Sequence, residues 1–233
     1  MLEKIRKELR KHSNKEQARI LQGFFKTAPG EYGEGDIFIG VKVPQIRKVA
    51  NQYKDISLRQ TINLLKSKIH EERLLALLIL VSKYSQSSQD DKKKIYQLYL
   101  KHTKYINNWD LIDLTAQHIV GSFLENKSKK PLQVLAKSKS LWERRISILS
   151  TFHYIKNQCF AETLGIAKIL LNDQEDLIHK AVGWMLREVG KRNLRTEEKF
   201  LQTHYKKMPR TMLRYAIERF PEARRQAYLK AKI

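Results

Sequence analysis

Apolar residues recur along most of this chain at every third or fourth position, the spacing that lines one face of an α-helix. The clearest stripe is Ile178, Ala181, Val182, Met185 and Val189, at i, i+3, i+4, i+7 and i+11. Period-two alternation, the mark of a half-buried strand, shows only weakly, around Asp36 to Val43 beside Gly35 and Gly40. Helix boundaries are legible as well. Pro44, Pro131, Pro209 and Pro221 stand where first turns begin, and Ser57, Ser88 and Asp173 suit N-caps. The pattern predicts about a dozen helices of roughly 10 to 18 residues joined by short polar links. One runs from Trp109 to Leu124, and the polar stretch Ser82 to Lys94 reads as a loop into a charged helix start. The predicted fold is all-α.

Several helix starts resemble one another. His70-Glu71-Glu72-Arg73-Leu74, Trp142-Glu143-Arg144-Arg145-Ile146 and Leu177-Ile178-His179-Lys180-Ala181 each put a basic residue just before a strongly apolar helix, at Arg73, Arg145 and Lys180. The intervals are 72 and 35 residues, so one period is about 35 and the Trp109 helix fills the missing step. Helix pairs repeating every ~34 to 47 residues indicate an α-solenoid, in which each pair buries its face against its neighbours. A plain helical bundle is the alternative. No linker divides the chain, so residues 1–233 read as a single domain. Its one substantial irregular segment is residues 26–43, where Glu31, Glu34 and Asp36 interrupt a basic chain.

Composition narrows the function. Apolar residues at 42% and charged residues at 30% describe a globular chain rather than a disordered one. Forty-six Lys and Arg against 24 Asp and Glu give a net charge of +22, a field that concentrates polyanions at the surface. Cys159 is the lone cysteine, which excludes a disulfide framework and a cysteine-rich zinc site. The longest apolar run, Leu74 to Val81, falls far short of the ~20 residues of a membrane span. No apolar export signal opens the chain, so a cytoplasmic location and no membrane partner are expected.

Most catalytic motifs fail. His70-Glu71 lacks the second histidine of a zinc-protease helix, and Gly30-Glu31-Tyr32-Gly33-Glu34-Gly35 has neither a P-loop lysine nor dinucleotide spacing. No metal or other cofactor is expected. Three stripes remain. Trp109 and Asp113, four residues apart, lie about 40° apart on a helical wheel at the edge of the apolar face Ile112, Ala116, Ile119, Val120 and Phe123. They suit either a core ring with a surface acid, or a ring and an ionised carboxylate presented to a partner. Lys180, Trp184, Arg187 and Lys191 form a second stripe away from the apolar face. It is either a solvated basic face or a grip that takes phosphates while a ring meets sugar or base. The third stripe is Trp142, Arg145, Leu149, Phe152 and Lys156, in which Arg145 sits amid apolar neighbours and calls for a carboxylate or phosphate acceptor. From Ile178 onward the chain carries 15 Lys and Arg against five Asp and Glu, with Lys206, Lys207, Arg210 and Arg214 on successive helices, a footprint for a duplex backbone.

Together these stripes resemble the AlkD-like DNA alkylation-repair glycosylases, a family of bacterial HEAT-like repeat proteins. The resemblance rests on Trp109-Asp110-Leu111-Ile112-Asp113, on Trp142-Glu143-Arg144-Arg145, and on Lys180-Ala181-Val182-Gly183-Trp184-Met185-Leu186-Arg187-Glu188. Gly40-Val41-Lys42-Val43-Pro44-Gln45-Ile46-Arg47 adds the entry into the first repeats, and the likeness covers roughly residues 15 to 220. It implies an α-solenoid of HEAT-like repeats whose concave basic face holds duplex DNA containing alkylated purines. The implied activity is metal-free hydrolysis of the N-glycosidic bond of N3- or N7-alkylated purines, by a monomer. By resemblance Asp113 is the catalytic carboxylate, Trp109 and Trp184 flank the lesion's sugar, and Arg145 is the neighbouring arginine. Arg187 is a backbone contact by the same resemblance. Trp142, Lys156, Lys180, Lys191, Arg210 and Arg214 complete the expected DNA surface. The loop Gly30 to Asp36 is longer and more acidic than the family pattern, which leaves Phe24, Phe25 and Tyr32 as candidates for an N-terminal aromatic contact. A non-catalytic DNA-binding solenoid is the rival, and a carboxylate facing a polyanion at Asp113 argues against it.

Overall fold

Local capping chemistry starts the helices close to where the sequence places them. In the computed structural model, which describes residues 1–233, Ser57 and Gln60 form a complete capping box and the Ser88 hydroxyl accepts the Asp91 N–H. Pro44 and Pro131 lie in first turns, while Pro209 and Pro221 fall one residue ahead of their helices. Asp173 is not a cap. The following helix begins at Asp176 behind Glu175, because the Asp173 carboxylate is taken by Arg144 at 2.6 Å and by the Glu175 N–H at 3.0 Å. The chain is all-helical, and no helix is long and apolar enough to cross a membrane.

The helices group into two compact units, Met1–Thr115 and Ala116–Ile233. The first holds α1 (Leu2–Arg10), α2 (Lys15–Phe24), α3 (Val43–Gln52), α4 (Leu58–Leu65), α5 (His70–Gln86), α6 (Gln89–Lys101) and α7 (Trp109–Asp113). Its centre is α5, buried at every residue from His70 to Leu80 and packed on α3 and α4. This helix and α6 together absorb all of the expected Ser82–Lys94 loop except Ser87 and Ser88. Tyr84, one turn beyond Leu80, is buried and carries the helix on to Gln86, leaving Ser87 and Ser88 as the link to α6.

The irregular segment between α2 and α3 is pinned rather than loose. The Glu71 carboxylate accepts the backbone N–H groups of Ile39, Gly40 and Val41 at 2.8 to 3.2 Å. Gly40 has φ +79°, and any side chain there would run into the Asn14 carbonyl at the start of α2. The weak alternation around Asp36 to Val43 yields one isolated parallel bridge, Ile37 to Ile69, because the chain turns into α5 immediately after Ile69.

The second unit holds α8 (Lys130–Ala136), α9 (Leu141–Ser150), α10 (Phe152–Lys156), α11 (Ala161–Ile169), α12 (Asp176–Gly190), α13 (Leu194–His204), α14 (Arg210–Ala216) and α15 (Glu222–Leu229). The stripe Ile178, Ala181, Val182, Met185 and Val189 is fully buried, and α12 packs on α14, α9 and α13.

The expected Trp109–Leu124 helix is broken. Regular helix ends at Asp113, and a π-helical turn occupies Gln117–Gly121. The Thr115 hydroxyl donates to the Leu111 carbonyl at 2.5 Å and meets Tyr99 Oη at 2.9 Å, competing with the backbone ladder where it breaks. Ile112, Ala116, Ile119, Val120 and Phe123 are nevertheless all buried, as the sequence predicts.

The repeat is real but its register differs by one residue. Arg73 Nη1 donates to the carbonyls of Ser67 and Lys68, and Arg144 Nη1 to those of Ser138 and Lys139. His179 Nε2 bonds the Asp173 carbonyl, six residues back. Each is the fourth residue of its helix, and Ser67, Ser138 and Asp173 each accept the N–H two residues on. The matching positions are therefore 73, 144 and 179. Arg145 and Lys180 follow them and face elsewhere.

Candidate functional site

Trp109 and Asp113 lie on α7, which Asn108 opens by accepting the Trp109 N–H on Oδ1 at 2.9 Å. The half-buried Trp109 ring stacks on Phe25 with centroids 5.0 Å apart and planes 17° apart. Phe25 stacks on Phe38 at 4.9 Å, and Phe38 on the His70 imidazole at 4.4 Å. A column of rings thus runs from the core to Trp109. Phe24, 61% exposed, meets Trp109 edge-on at 5.8 Å. The three candidate aromatics are now separated: Phe25 is buried core, Tyr32 is half-buried with its hydroxyl 3.4 Å from the Phe24 carbonyl, and Phe24 is the exposed ring beside Trp109. Asp113 is half-buried, and its charge adds to the burial that holds the Tyr99 phenol well above its usual pKa.

A buried ionic cluster adjoins that column. His70 Nδ1 lies 3.0 Å from Asp36 Oδ2, and Nε2 lies 2.8 Å from Asp110 Oδ2. Arg73 Nη2 donates to Asp36 Oδ1 at 2.6 Å, and the Asn108 amide donates to Asp36 Oδ2 at 3.2 Å. Burial alone would raise Asp36, but the His70 bond and the Arg73 charge hold it below the ordinary carboxylate range. Burial alone would lower His70, yet Asp110 and Asp36 outweigh it and hold the imidazole above its usual value.

In the second unit Trp184, Phe152, Lys156, Lys191 and Arg192 gather around Glu188. The buried Glu188 carboxylate accepts the Trp184 indole N–H at 3.3 Å, Lys191 at 2.6 Å and Arg192 at 3.1 Å. Burial opposes its charge, and the two cations outweigh burial, leaving its pKa lowered. Phe152 tilts against Trp184 at 6.0 Å and lies under both Lys156 and Arg192, at 5.1 and 5.8 Å. Lys156 is lowered by burial and then by the nearby Arg192.

The remaining expected residues fall as follows. Arg145 is buried and donates to the Leu177 carbonyl at 2.5 Å, an acceptor at the start of α12 that spacing alone does not reveal. Trp142 is half-buried on α9. Lys180 pairs with Asp176 at 2.7 Å, and Arg187 pairs with Glu218. Arg210 donates to the Leu229 carbonyl at 2.7 Å, and Arg214 is exposed on the same helix. No group of three His, Cys, Asp or Glu is arranged to hold a metal ion.

Sequence reasoning missed Asp36, His70, Arg73, Asn108 and Glu188 as members of these clusters. The one available signal was composition. Three charged residues and a histidine open α5 and are buried with the apolar run that follows, which demands partners elsewhere in the chain.

Comparison with known proteins agrees with this architecture. The fold matches a solved structure described as a predicted DNA alkylation repair enzyme from Enterococcus faecalis, with TM-score 0.69 and 14% identity over 91% of this chain and 98% of that one. It also matches the crystal structure of AlkD2 from Streptococcus mutans, with TM-score 0.56 and 17% identity over 89% of this chain and 99% of that one. Among curated protein sequences none matches. The family model for the DNA alkylation repair enzyme matches residues 5–220, nearly the whole chain. Residues 5–220, which carry both tryptophan clusters, make this chain a member of the DNA alkylation repair enzyme family.

Proposed function

We propose that this protein is a monofunctional DNA glycosylase that hydrolyses the N-glycosidic bond of N3- and N7-alkylated purines in duplex DNA. It acts as a cytoplasmic monomer in base excision repair. The observation that carries the reading is Asp113, a half-buried carboxylate one turn beyond a tryptophan whose ring is locked by stacking. Alkylation at N3 or N7 leaves the purine cationic, so the base departs without a strong general acid. As the bond breaks, positive charge develops on the sugar, as in glycoside hydrolysis generally. Asp113 stabilises that charge and orients the attacking water, the π face of the neighbouring Trp109 favours the same charge, and the family resemblance gives Trp184 a role at the lesion's sugar. Arg145 supports the site. Lys180, Arg187, Lys191, Arg210, Arg214, Lys156 and Trp142 serve the duplex backbone, and the net charge of +22 supplies the long-range attraction.

The direct assay incubates methylated duplex DNA with the protein and looks for free 7-methylguanine and 3-methyladenine. Asp113→Asn keeps the shape and removes the charge. Single-turnover release should fall about 10²- to 10³-fold, as expected for one preorganised electrostatic contact. Duplex binding should persist or tighten, since a carboxylate near phosphates is repulsive in the ground state. Parental release by Asp113→Asn would make that residue structural, and binding without release by the parent would favour the non-catalytic alternative.

A further inference from the structure

The buried cluster around His70 is larger than a core histidine requires. His70 is 2% exposed, and both of its ring nitrogens meet carboxylates, which only accept hydrogen bonds when ionised. A neutral imidazole has one donor and can satisfy one of them. Two acceptors on two nitrogens therefore call for the imidazolium. The charged groups facing His70 are Asp36 from the irregular loop, Asp110 from α7, and Arg73 one turn along its own helix. Two cations then meet two anions, and the buried set is neutral as a whole.

What makes this cluster more than structural is where its anions sit in the chain. Asp110 lies between Trp109 and the turn that ends at Asp113, and His70 is the partner of its carboxylate, whose other oxygen is buried without one. Asp36 reaches the same turn through Asn107 and Asn108, whose amides donate to it at 3.4 and 3.2 Å. Asn108 is also the cap that sets the direction of α7. Finally, the His70 ring is the last member of the column that ends in Trp109. One imidazole thus touches the tryptophan's supports by stacking and the helix backbone's supports by hydrogen bonds. A five-residue helix has too few internal bonds to hold its own direction.

We infer that His70, as the imidazolium bridging Asp36 and Asp110, is the positioning residue that holds Trp109 and Asp113 in register for base release. This rests on the glycosylase reading for its consequence in rate, though not for the bridge itself. Loss of the ring proton removes one of the two bridges and leaves a buried carboxylate unmatched. The turn then shifts, and a displacement of about 1 Å at a reacting group costs on the order of 10²-fold in rate. The acidic loop acquires a role as well, since its Asp36 anchors the catalytic turn.

The test follows three signals of the full-length protein between pH 6 and 9. These are the ¹⁵N shifts of the His70 ring, the indole N–H resonance of Trp109, and single-turnover release of 7-methylguanine. Both ring nitrogens should be protonated at pH 7. Above that, the loss of one proton, the movement of the Trp109 resonance and a fall in release should share one midpoint. His70→Gln should abolish that midpoint in both remaining signals and lower release about 10²-fold, with duplex affinity unchanged within about twofold. Should that variant not fold, Asp110→Asn serves in its place, because removing one carboxylate charge should move the His70 midpoint downward. A neutral ring at pH 7, or a Trp109 resonance that ignores the His70 titration, overturns the inference. So does unchanged release in His70→Gln. A parent that releases no base overturns the glycosylase reading alone. The bridge is then judged by the Trp109 resonance, which supports it by following His70 and refutes it by staying flat.

Discussion

The two units each present a tryptophan, and they hold it by opposite means. Trp109 lies on a column of rings that descends into the core, and its helix is tied down by a buried, overall neutral set of charges. Trp184 is held at its indole N–H by a carboxylate that also grips two cations near the surface. Packing is non-directional and indifferent to salt, whereas a carboxylate with partly exposed cations answers to both salt and pH. The pH responses also differ in sign. His70 is raised, so its contribution is complete below the ordinary histidine value and is lost as pH rises through the folded one. Glu188 is lowered, so its contribution is present above the ordinary carboxylate value and is lost as pH falls through the folded one. The first unit is built to lock a ring and an acid together. The second keeps its ring beside an acid that two partly exposed cations already hold.

The contrast can be broken most severely at Phe25. Phe25→Ala removes the middle of the column and should destabilise the first unit by about 3–5 kcal/mol in urea unfolding. Emission from Trp109 should shift to the red as its ring loses a buried neighbour. Unchanged stability and emission would mean that the column is not what holds Trp109.

Glu188→Gln tests the other side with a smaller effect. It keeps the volume but releases Lys191 and Arg192 from a negative partner. Duplex binding should tighten several-fold at low salt, and the slope of log K against log salt should steepen by about one to two, one for each cation freed. The amide oxygen still accepts the Trp184 indole N–H, so base release should change less than binding does. An unchanged salt slope would show that these two cations do not reach phosphate.

The smallest effect concerns a carboxyl in the second unit that lacks the compensation Glu188 enjoys. Burial first, and then the charge of Glu198, push Glu197 up to about 9 despite the nearby Arg187. The unfolded chain releases that proton near the ordinary value of 4.5, so stability declines as pH rises from there to about 9. Glu197→Gln should therefore raise the Tm at pH 8 by a few degrees, the scale of ~1 kcal/mol in a chain of this size. It should give no gain below pH 4.5, and a gain that does not depend on pH would contradict a buried neutral carboxyl at this position.

Much of the architecture was legible because it depends on local rules. Periodicity found the helices, Ser57 and Ser88 found their starts, and the buried face of α12 matched its stripe residue for residue. The repeat was visible too, but matching cations by type aligned Arg73 with Arg145, where bonding to the preceding turn aligns it with Arg144. Trp109, Asp113 and Trp184 stood out because rings and charges at helical spacing are conspicuous. Their supports did not stand out. Asp36 looked like one more acid in a polar loop, His70 like a failed zinc motif, and Glu188 was only the last residue of the segment that carries Trp184.

Composition and period alone thus determined an all-helical, strongly basic chain, many of its helix starts and the residues that carry its candidate chemistry. Tertiary structure decided which of three aromatics is exposed beside Trp109, where the helix after Asp113 breaks, and which acids are buried with which cations. The reason is physical. Helix periodicity and capping act over a few residues, so they are written locally. Desolvation of a charge is offset only by a partner brought close in space, and Asp36 finds His70, Arg73 and Asn108 across 34, 37 and 72 residues of chain.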